Sequence, residues 1–214
     1  AALWLAGVTA LQPDGRVNSP GDVSAQSRYV VSRMLAMLEQ CGATAADVVS
    51  TRHYTPVAYV GLGSHHDRIA LMHPGHPTSA GITVQGVGSR DVAILIEAEA
   101  VVGAARERRN VNTGRTYEEE HHYCRAVRVG QGDVVYVAGT TSVQLGEVVG
   151  SPFDAYGQTI QTLEWIRFGI EKLGLPFSDL VRTRSYVVGQ ENLEPVARAL
   201  RETLGRYQPV ATMV

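Results

Sequence analysis

The sequence predicts an α+β protein built from two copies of one unit, and two observations support this prediction. The first is a repeat: a shift of 132 positions places residues 3–54 on residues 135–186 without a gap and gives 16 identities in 52 positions. Unrelated chains of ordinary composition would share about three or four. The second is the alternation, in each copy, of short β-branched runs with stretches of helical spacing. The 214 residues are therefore expected to fold as two related units.

The first helix of each copy is predicted from its end signals and its apolar stripe. Asp22 and Asp154 occupy the N-cap positions, and Gly42 and Gly174 follow the last turn, where a left-handed backbone favours glycine. The stripes consist of Val30, Met34, Met37, Leu38 and Cys41 in the first copy and Ile160, Leu163, Ile166, Ile170 and Leu173 in the second. We expect both stripes, including Cys41, to lie in the core.

Runs of β-branched and alternating residues predict the strands, and each copy has a second segment of helical spacing. The predicted strands are residues 3–7, 47–54, 82–87, 92–102, 122–129, 133–139 and 179–188. Residues 191–204 have one clear apolar face and predict a helix. Their counterpart around 57–72 contains Gly61 and Gly63, so we expect a weaker helix there.

The repeat also sets the expected domain limits. They are 1–105 for the first unit, 106–120 for a polar linker and 121–214 for the second unit. The strand at 122–129 has no counterpart before Ala1, and Val214 falls inside the counterpart of the strand at 82–87. We therefore expect the first unit to lack its N-terminal strand and the second unit to lack its C-terminal strand.

The composition limits the classes of function. Hydrophobic residues make up 44% of the chain, which is enough for a substantial core. Nineteen basic and 21 acidic residues give a net charge of -2, which disfavours nucleic acid as a partner. No apolar run reaches the roughly 20 residues that a membrane helix needs, so we expect no membrane partner. The two cysteines have no metal-binding spacing and fit a reduced, cytoplasmic protein.

The order and spacing of several segments resemble the RidA/YjgF (Rid) family over nearly all of both copies. The most specific segments are residues 95–102 (Leu-Ile-Glu-Ala-Glu-Ala-Val-Val), 123–130 (Tyr-Cys-Arg-Ala-Val-Arg-Val-Gly), 179–186 (Asp-Leu-Val-Arg-Thr-Arg-Ser-Tyr) and 209–214 (Pro-Val-Ala-Thr-Met-Val). The resemblance implies a chorismate-mutase-like α+β unit, in which a mixed sheet carries two helices on one face. It also implies a trimer of tandem chains, with two stacked rings and clefts between subunits.

The same resemblance implies an activity and a set of site residues. Rid proteins hydrolyse reactive imines and enamines to carbonyl compounds and ammonia, without a metal or an organic cofactor. Glu97 matches the family's pocket glutamate, the expected base for water, and Tyr123 matches its pocket tyrosine. The implied substrate-binding positions are Gly7, Val8, Gly81, Thr83, Glu99, Gly139, Thr140 and Ala211. Strand alternation places Glu97 and Glu99 on one face. A sheet face that is merely exposed to solvent would explain two carboxylates there equally well.

The chain departs from the family at the clamp for the substrate carboxylate. Active relatives carry an arginine in the motif Pro-Ala-Arg-x-x-Val, and a guanidinium can bind a carboxylate through two hydrogen bonds. The matching positions here are Gly81 and Ala211. We therefore expect a substrate that lacks the usual carboxylate.

Histidines concentrate in the first copy. They are His65, His66, His73 and His76, and their spacing matches no strong zinc motif. We expect a solvated loop without a metal site, although a histidine in a cleft is suited to act as an acid or base near neutral pH. His121 and His122 follow three glutamates and are interpreted as part of the polar linker.

The leading hypothesis is a diverged Rid enzyme that processes an imine, an enamine or a related reactive small molecule. The alternative is a Rid-like protein that binds a ligand or supports an assembly without catalysis, and RNA cleavage is a weaker third hypothesis because of the charge balance. Chorismate hydrolases share the fold, but we expect their unequal two-domain plan not to match this near-even repeat. Only the first copy holds the Glu97 strand and only the second holds the Tyr123 strand, so we expect a pocket formed between units or chains.

Overall fold

The computed structural model describes residues 1–60, 66–114, 116–130, 134–144 and 147–214. The chain divides into two compact units, Ala1–Gly139 and Thr140–Val214. The first unit therefore extends past residue 105, the limit expected from the repeat, and includes the segment expected to be a linker.

A four-stranded mixed sheet forms the centre of the first unit. Its strands are β1 (Ala2–Thr9), β2 (Val48–Pro56), β3 (Thr78–Val84) and β4 (Leu95–Val101). Their order is β1, β4, β2, β3, and β2 and β3 are parallel while the other neighbours are antiparallel. β3 begins before the predicted Ile82, because its pairing with β2 already starts at Thr78.

Helix α1 (Val23–Gln40) packs on one face of this sheet. The Asp22 carboxylate accepts a hydrogen bond from the Ala25 N–H, and Gly42 follows the helix with a φ of 71°, so both predicted end signals are confirmed. The shared core includes Val8, Val30, Met34, Leu38, Ile94, Ile96, Ala98 and Ala100. The expectation that Cys41 lies in the core was wrong: it is the C-cap residue and is exposed.

The second helical segment of the first unit is short. Helix α2 comprises only Ile69–Met72, and single turns precede it at Val57–Tyr59 and His66–Arg68. Leu71 is fully buried, so this short helix still contributes to the core. The two glycines that predicted a weak helix lie in residues 61–65, outside the described residues.

The segment expected to link the two copies contributes to the first unit. Strands β5 (Arg108–Val111), β6 (Ala126–Val129) and β7 (Val134–Val137) form an antiparallel sheet, and helix α3 (Thr116–Glu120) lies between β5 and β6. Cys124, just before β6, forms a parallel bridge with Thr78 at the start of β3. The Gly139 N–H donates to the Ser79 carbonyl at 3.0 Å. Residues 106–120 therefore belong to a folded unit.

The second unit repeats the helical part of the first. Its elements are β8 (Val143–Gln144), β9 (Glu147–Val148), α4 (Ala155–Lys172), β10 (Arg182–Ser185), α5 (Leu193–Leu204) and β11 (Val210–Met213). The Asp154 carboxylate accepts from the Gly157 N–H at the start of α4, and Gly174 follows that helix with a φ of 82°. β10 and β11 pair in parallel, as β2 and β3 do in the first unit. None of the helices in the described ranges combines the length and the apolar composition that crossing a bilayer requires.

Candidate functional site

Strand alternation turns the two carboxylates of β4 toward the sheet face that α1 leaves open. Ile96 and Ala98 lie in the core with residues of α1. Neighbouring residues of a strand point to opposite faces, so Glu97 and Glu99 lie on the other face. The two glutamates share one face, as the sequence predicts.

Arg52 bridges these two carboxylates. β2 pairs with β4 in a register that puts Arg52 opposite Glu97. The Arg52 Nε donates to Glu97 Oε2 at 3.0 Å, and its Nη2 donates to Glu99 Oε1 at 2.9 Å. Burial alone would lower the pKa of Arg52, but the hydrogen bonds to the two glutamates outweigh burial and raise that pKa. The guanidinium is therefore a fixed cation between two anions.

Glu97 keeps one carboxylate oxygen open. The Tyr54 hydroxyl donates to Oε2 at 3.3 Å, so Arg52 and Tyr54 both bond the same oxygen. Among the residues that the structure describes, none donates a hydrogen bond to Oε1, and the Glu97 side chain is 30% exposed. A carboxylate that two donors orient through one oxygen can accept a proton from water on the other.

A hollow of about 430 Å³ is lined by Glu97 and Tyr54. Its other walls are Val84, Gly86, Val87, Gly88 and Leu95. Gly7 packs against Leu95, one of these lining residues, because a Cβ at position 7 would come within 2.8 Å of the Leu95 side chain. Gly7 therefore supports the hollow through Leu95, whereas the neighbouring Val8 is buried in the core.

A second hollow of about 390 Å³ adjoins the first and shares the loop of residues 86–88 with it. Its other lining residues are Pro56, Ala58, Tyr59, Gln85, Ser89 and Arg90. The Tyr59 hydroxyl donates to the Arg90 carbonyl at 3.3 Å, which fixes one rim. Of the described residues that line the two hollows, only Arg90 is positively charged.

The family's clamp position, Gly81, faces away from Glu97. Gly81 pairs with His53, and His53 pairs with Ile96, which lies in the core. A Cβ at position 81 would lie 2.7 Å from His53 Nε2, and the other ring nitrogen of His53 lies 2.8 Å from Arg68 Nη1. Within this unit, a side chain at position 81 would meet the His53 ring and not the hollow.

Tyr123 lies at the other edge of the same sheet. The next residue, Cys124, bridges to Thr78 of β3, so β2 and β3 lie between Tyr123 and Glu97 in the strand order. The Tyr123 hydroxyl accepts a hydrogen bond from Arg125 Nη2 at 3.4 Å. Burial raises the pKa of Cys124 to about 12, so the thiol stays protonated near neutral pH and is a poor nucleophile.

Of the remaining predicted substrate-binding positions, two lie in the first unit and two in the second. Thr83 lies on the same face of β3 as the clamp position. Gly139 packs against β3, where a Cβ would come within 2.7 Å of the Ala80 Cβ, so strand packing accounts for this glycine. In the second unit, Ala211 is an exposed residue of β11, and Thr140 is half-buried.

Arg52 and Tyr54 are candidate site residues that sequence reasoning did not single out. A signal was present, because both are identical in the repeat, where Arg184 and Tyr186 stand at the same positions. An identity in both copies is typical of a structural motif. Only the pairing of β2 with β4 brings this motif against Glu97.

The comparison with protein families gives a match over the second half of the chain. The model described as endoribonuclease L-PSP matches residues 113–214. This segment matches the RidA/YjgF family. The matched Rid segment includes Tyr123 and the whole second unit. No curated protein matches the chain.

Solved structures extend the similarity in fold. The Rid-family protein YyfB from Yersinia pestis is 27% identical, with a TM-score of 0.38, over 47% of this chain and 78% of that one. A member of the YjgF/YER057c/UK114 family from Mycobacterium tuberculosis is 28% identical, with a TM-score of 0.40, over 47% and 79%. A chorismatase is 15% identical, with a TM-score of 0.67, over 92% and 67%.

The chorismatase likeness concerns the fold alone, and it extends over 92% of this chain. It confirms the α+β class with two tandem chorismate-mutase-like units. The expectation that the two-domain plan of chorismate hydrolases would not match this chain was wrong.

Proposed function

We propose that the chain is a diverged Rid protein that hydrolyses an imine or enamine in the hollow at Glu97. The strongest support for this proposal is the hydrogen-bonding pattern of the Glu97 carboxylate. Arg52 and Tyr54 hold one of its oxygens, and the other oxygen is open to a partly exposed hollow of about 430 Å³. A positioned carboxylate beside a space for a small molecule is what activation of water requires.

The proposed reaction consumes one water and releases one ammonia. Glu97 removes a proton from water, and the resulting hydroxide attacks the imine carbon, whose π electrons move to nitrogen. Glu97 then returns the proton to the nitrogen of the tetrahedral intermediate. Glu97 next takes the hydroxyl proton of this carbinolamine and delivers it to the amine as the C–N bond breaks, so that ammonia leaves and a carbonyl compound remains. Arg52 and Tyr54 keep the carboxylate oriented while it carries the proton.

The charge of the hollow favours an uncharged substrate. The two donor groups of Arg52 that face this region are bonded to Glu97 and Glu99. The remaining walls of the Glu97 hollow are apolar side chains, glycines and the Tyr54 ring. A carboxylate placed there would be desolvated next to Glu97, so we infer a substrate without a carboxylate at its reacting end.

Ammonia release tests this proposal. The full chain is incubated with a set of neutral imines and, separately, with 2-aminoacrylate made in situ. We expect turnover of a neutral imine, and Glu97→Gln should reduce the rate by about 10²- to 10⁴-fold because it removes the base. Glu194→Gln, on the exposed face of α5 in the second unit, is the matched control and should keep the rate. Full activity of Glu97→Gln would exclude Glu97 as the base.

A second candidate function has its own observation. Arg52 holds Glu97 and Glu99 together as an ion-pair network, and such a network also occurs where carboxylates have only a structural role. We therefore propose ligand binding without turnover as the alternative. It predicts that no imine releases ammonia, while a neutral carbonyl compound still binds and Leu95→Trp, which fills the hollow, blocks that binding.

We also propose that the functional form is the trimer of tandem chains that the Rid resemblance implies. Support comes from the sheet face that carries Glu97, which α1 leaves uncovered and which also carries the exposed Trp4 opposite Glu99. Tyr123 remains a predicted catalytic residue, and an assembly of chains is one way for it to approach a Glu97.

A further inference from the structure

Three histidines of the first unit come together at a distance from the Glu97 hollow. His73 follows the last residue of α2, His76 lies one turn further on, and His122 follows α3. Each offers one imidazole nitrogen, and the three nitrogens lie within 4.8 Å of one another. The ring centroids are 4.9 to 5.8 Å apart. The sequence predicts a solvated loop here, but His76 and His122 are half-buried and only His73 is exposed.

Backbone hydrogen bonds fix the two segments that carry these rings. The N–H groups of His73 and His76 donate to carbonyls of α2 at 2.8 and 2.9 Å, and the His122 N–H donates to a carbonyl of α3 at 3.1 Å. The Asn110 side chain donates to the His76 carbonyl at 3.2 Å and ties this turn to β5. The backbone of all three histidines is therefore fixed, and the exposed side chain of His73 is the one with room to adjust.

We propose that His73, His76 and His122 bind a divalent transition-metal ion. Three neutral imidazoles suit zinc, nickel, copper and cobalt, and they do not suit magnesium or calcium, which prefer oxygen ligands. Zn–N bonds of about 2.0 to 2.1 Å put tetrahedral ligand nitrogens about 3.3 Å apart. The ligand nitrogens, which lie within 4.8 Å of one another, must therefore approach by up to about 1.5 Å. Rotation of the exposed His73 side chain can bring its nitrogen closer to the other two. Three protein ligands leave a fourth position for water.

The surroundings of His76 favour its neutral ring. Burial lowers the pKa of His76, and His122, His73 and Arg108 lower it further. The neutral imidazole is the form that binds a metal ion. The Arg108 charge opposes any cation near His76, and it is held in place by hydrogen bonds from its Nη1 to the Ala46 and Val48 carbonyls at 2.8 and 3.1 Å.

Comparison with the second unit shows which features of this region belong to the fold and which belong to the proposed site. The pairing of β10 with β11 repeats that of β2 with β3 at the same shift of 132 residues, which makes Gln208 the counterpart of His76. The two residues have nearly the same left-handed backbone, with φ values of 52° and 46°. The turn is therefore a property of the fold, and the imidazole is specific to the first unit. The repeat position of His73 is Gly205, so we expect one metal ion per chain.

The proposed metal site and the Glu97 hollow are different places. β3 runs for seven residues between them: His76 lies just before its start, and Val84, its last residue, lines the hollow. A strand of this length spans about 20 Å. The metal proposal therefore does not depend on the proposed imine hydrolysis.

Metal binding by the full chain tests the proposal. Chelator-treated protein is titrated calorimetrically with Zn²⁺, and with Mg²⁺ as the negative control. The visible absorption of bound Co²⁺, which is stronger in tetrahedral than in octahedral sites, reports the ligand geometry. We expect one Zn²⁺ per chain and no Mg²⁺. His76→Gln and His122→Gln should each weaken Zn²⁺ binding at least about tenfold, since even the loss of a residue that only orients a metal ligand costs about 10- to 100-fold.

Two further variants keep the result interpretable. His73→Gln changes an exposed residue and should leave the fold intact, as circular dichroism would check, while also weakening Zn²⁺ binding. His121→Gln removes the neighbouring histidine, which is not one of the three, and should leave the affinity unchanged. The proposal is overturned if Zn²⁺ binds only above millimolar concentration, if any single member of the trio can be replaced without loss, or if His121→Gln weakens binding as much as the others.

Discussion

The close contact between Gly81 and His53 decides what the clamp position can accommodate. The His53 ring is held between Gly81 on one side and Arg68 Nη1 at 2.8 Å on the other. An arginine at position 81 would have to displace this ring before it reached any ligand. The loss of the family's arginine and the presence of the His53 ring are therefore two parts of one local arrangement.

Gly81→Ala should destabilise the protein by about 1 to 3 kcal/mol, because the new Cβ would lie 2.7 Å from His53 Nε2 and the bond to Arg68 restrains the ring from moving. Urea unfolding measures the change. Gly86→Ala is the matched control, since no atom lies within 4 Å of its Cβ position and its free energy of unfolding should stay within about 0.5 kcal/mol. Equal stabilities for the two variants would contradict the restraint on His53.

At the residue scale, the sequence predicts which face a side chain takes better than which partner it meets. The shared face of Glu97 and Glu99 follows from strand alternation and is found in the structure. Their bridging partner Arg52 lies 45 residues from Glu97 along the chain. This contact depends on the pairing of β2 with β4, which no local pattern specifies.

At the scale of elements, α3 illustrates how a charged run can be part of a core. Glu118 is fully buried and accepts hydrogen bonds from the Thr113 N–H and hydroxyl at 2.7 and 2.8 Å. Arg125, at the entry to β6, donates to the same carboxylate from Nη2 at 3.1 Å. Three successive glutamates are typical of a solvated linker. Only their partners in the structure, Thr113 before α3 and Arg125 just before β6, show that Glu118 is internal.

Arg125→Met should cost about 3 to 5 kcal/mol of unfolding free energy, because it leaves the buried Glu118 charge without its cation. Thermal and urea unfolding measure this loss. Arg201→Met removes the cation of the exposed Glu194 pair on α5, and we expect a change within about 0.5 kcal/mol. If both variants lose the same small amount, the Glu118 pair does not support the first unit as described.

The long helices were the most predictable elements, because their signals are local. α4 and α5 begin and end close to the predicted limits, and the capping aspartates and the closing glycines of α1 and α4 behave alike in both copies. The predicted strands occur near their expected places but with different bounds, and β5, β8 and β9 were not predicted. Strand ends depend on where a partner strand stops pairing, and β3 is longer at its start because β2 is there to pair with it.

At the scale of the whole molecule, the sequence repeat and the compact units do not coincide. The repeat begins again near residue 135, whereas the first compact unit continues to Gly139. The reason lies in the pairing of β7: its sequence matches β1 of the first copy, but it pairs with β6 next to β3. The repeat reflects the duplication of the sequence, whereas the limits of a compact unit depend on which strands pair.

The uncovered face of the first unit's sheet gives the last prediction. This face carries Trp4, which is 69% exposed, and, further along the sheet, the half-buried Leu95. A large exposed aromatic next to apolar strand residues is typical of a surface that another chain covers. We expect light scattering to give three times the mass of one chain, and Trp4→Glu should shift the protein to a smaller species by placing a charge on that surface. Phe153→Glu changes an exposed aromatic of the second unit and should leave the mass unchanged. A monomer at every concentration would contradict the trimer, and it would leave the Glu97 hollow as a site that one chain completes alone.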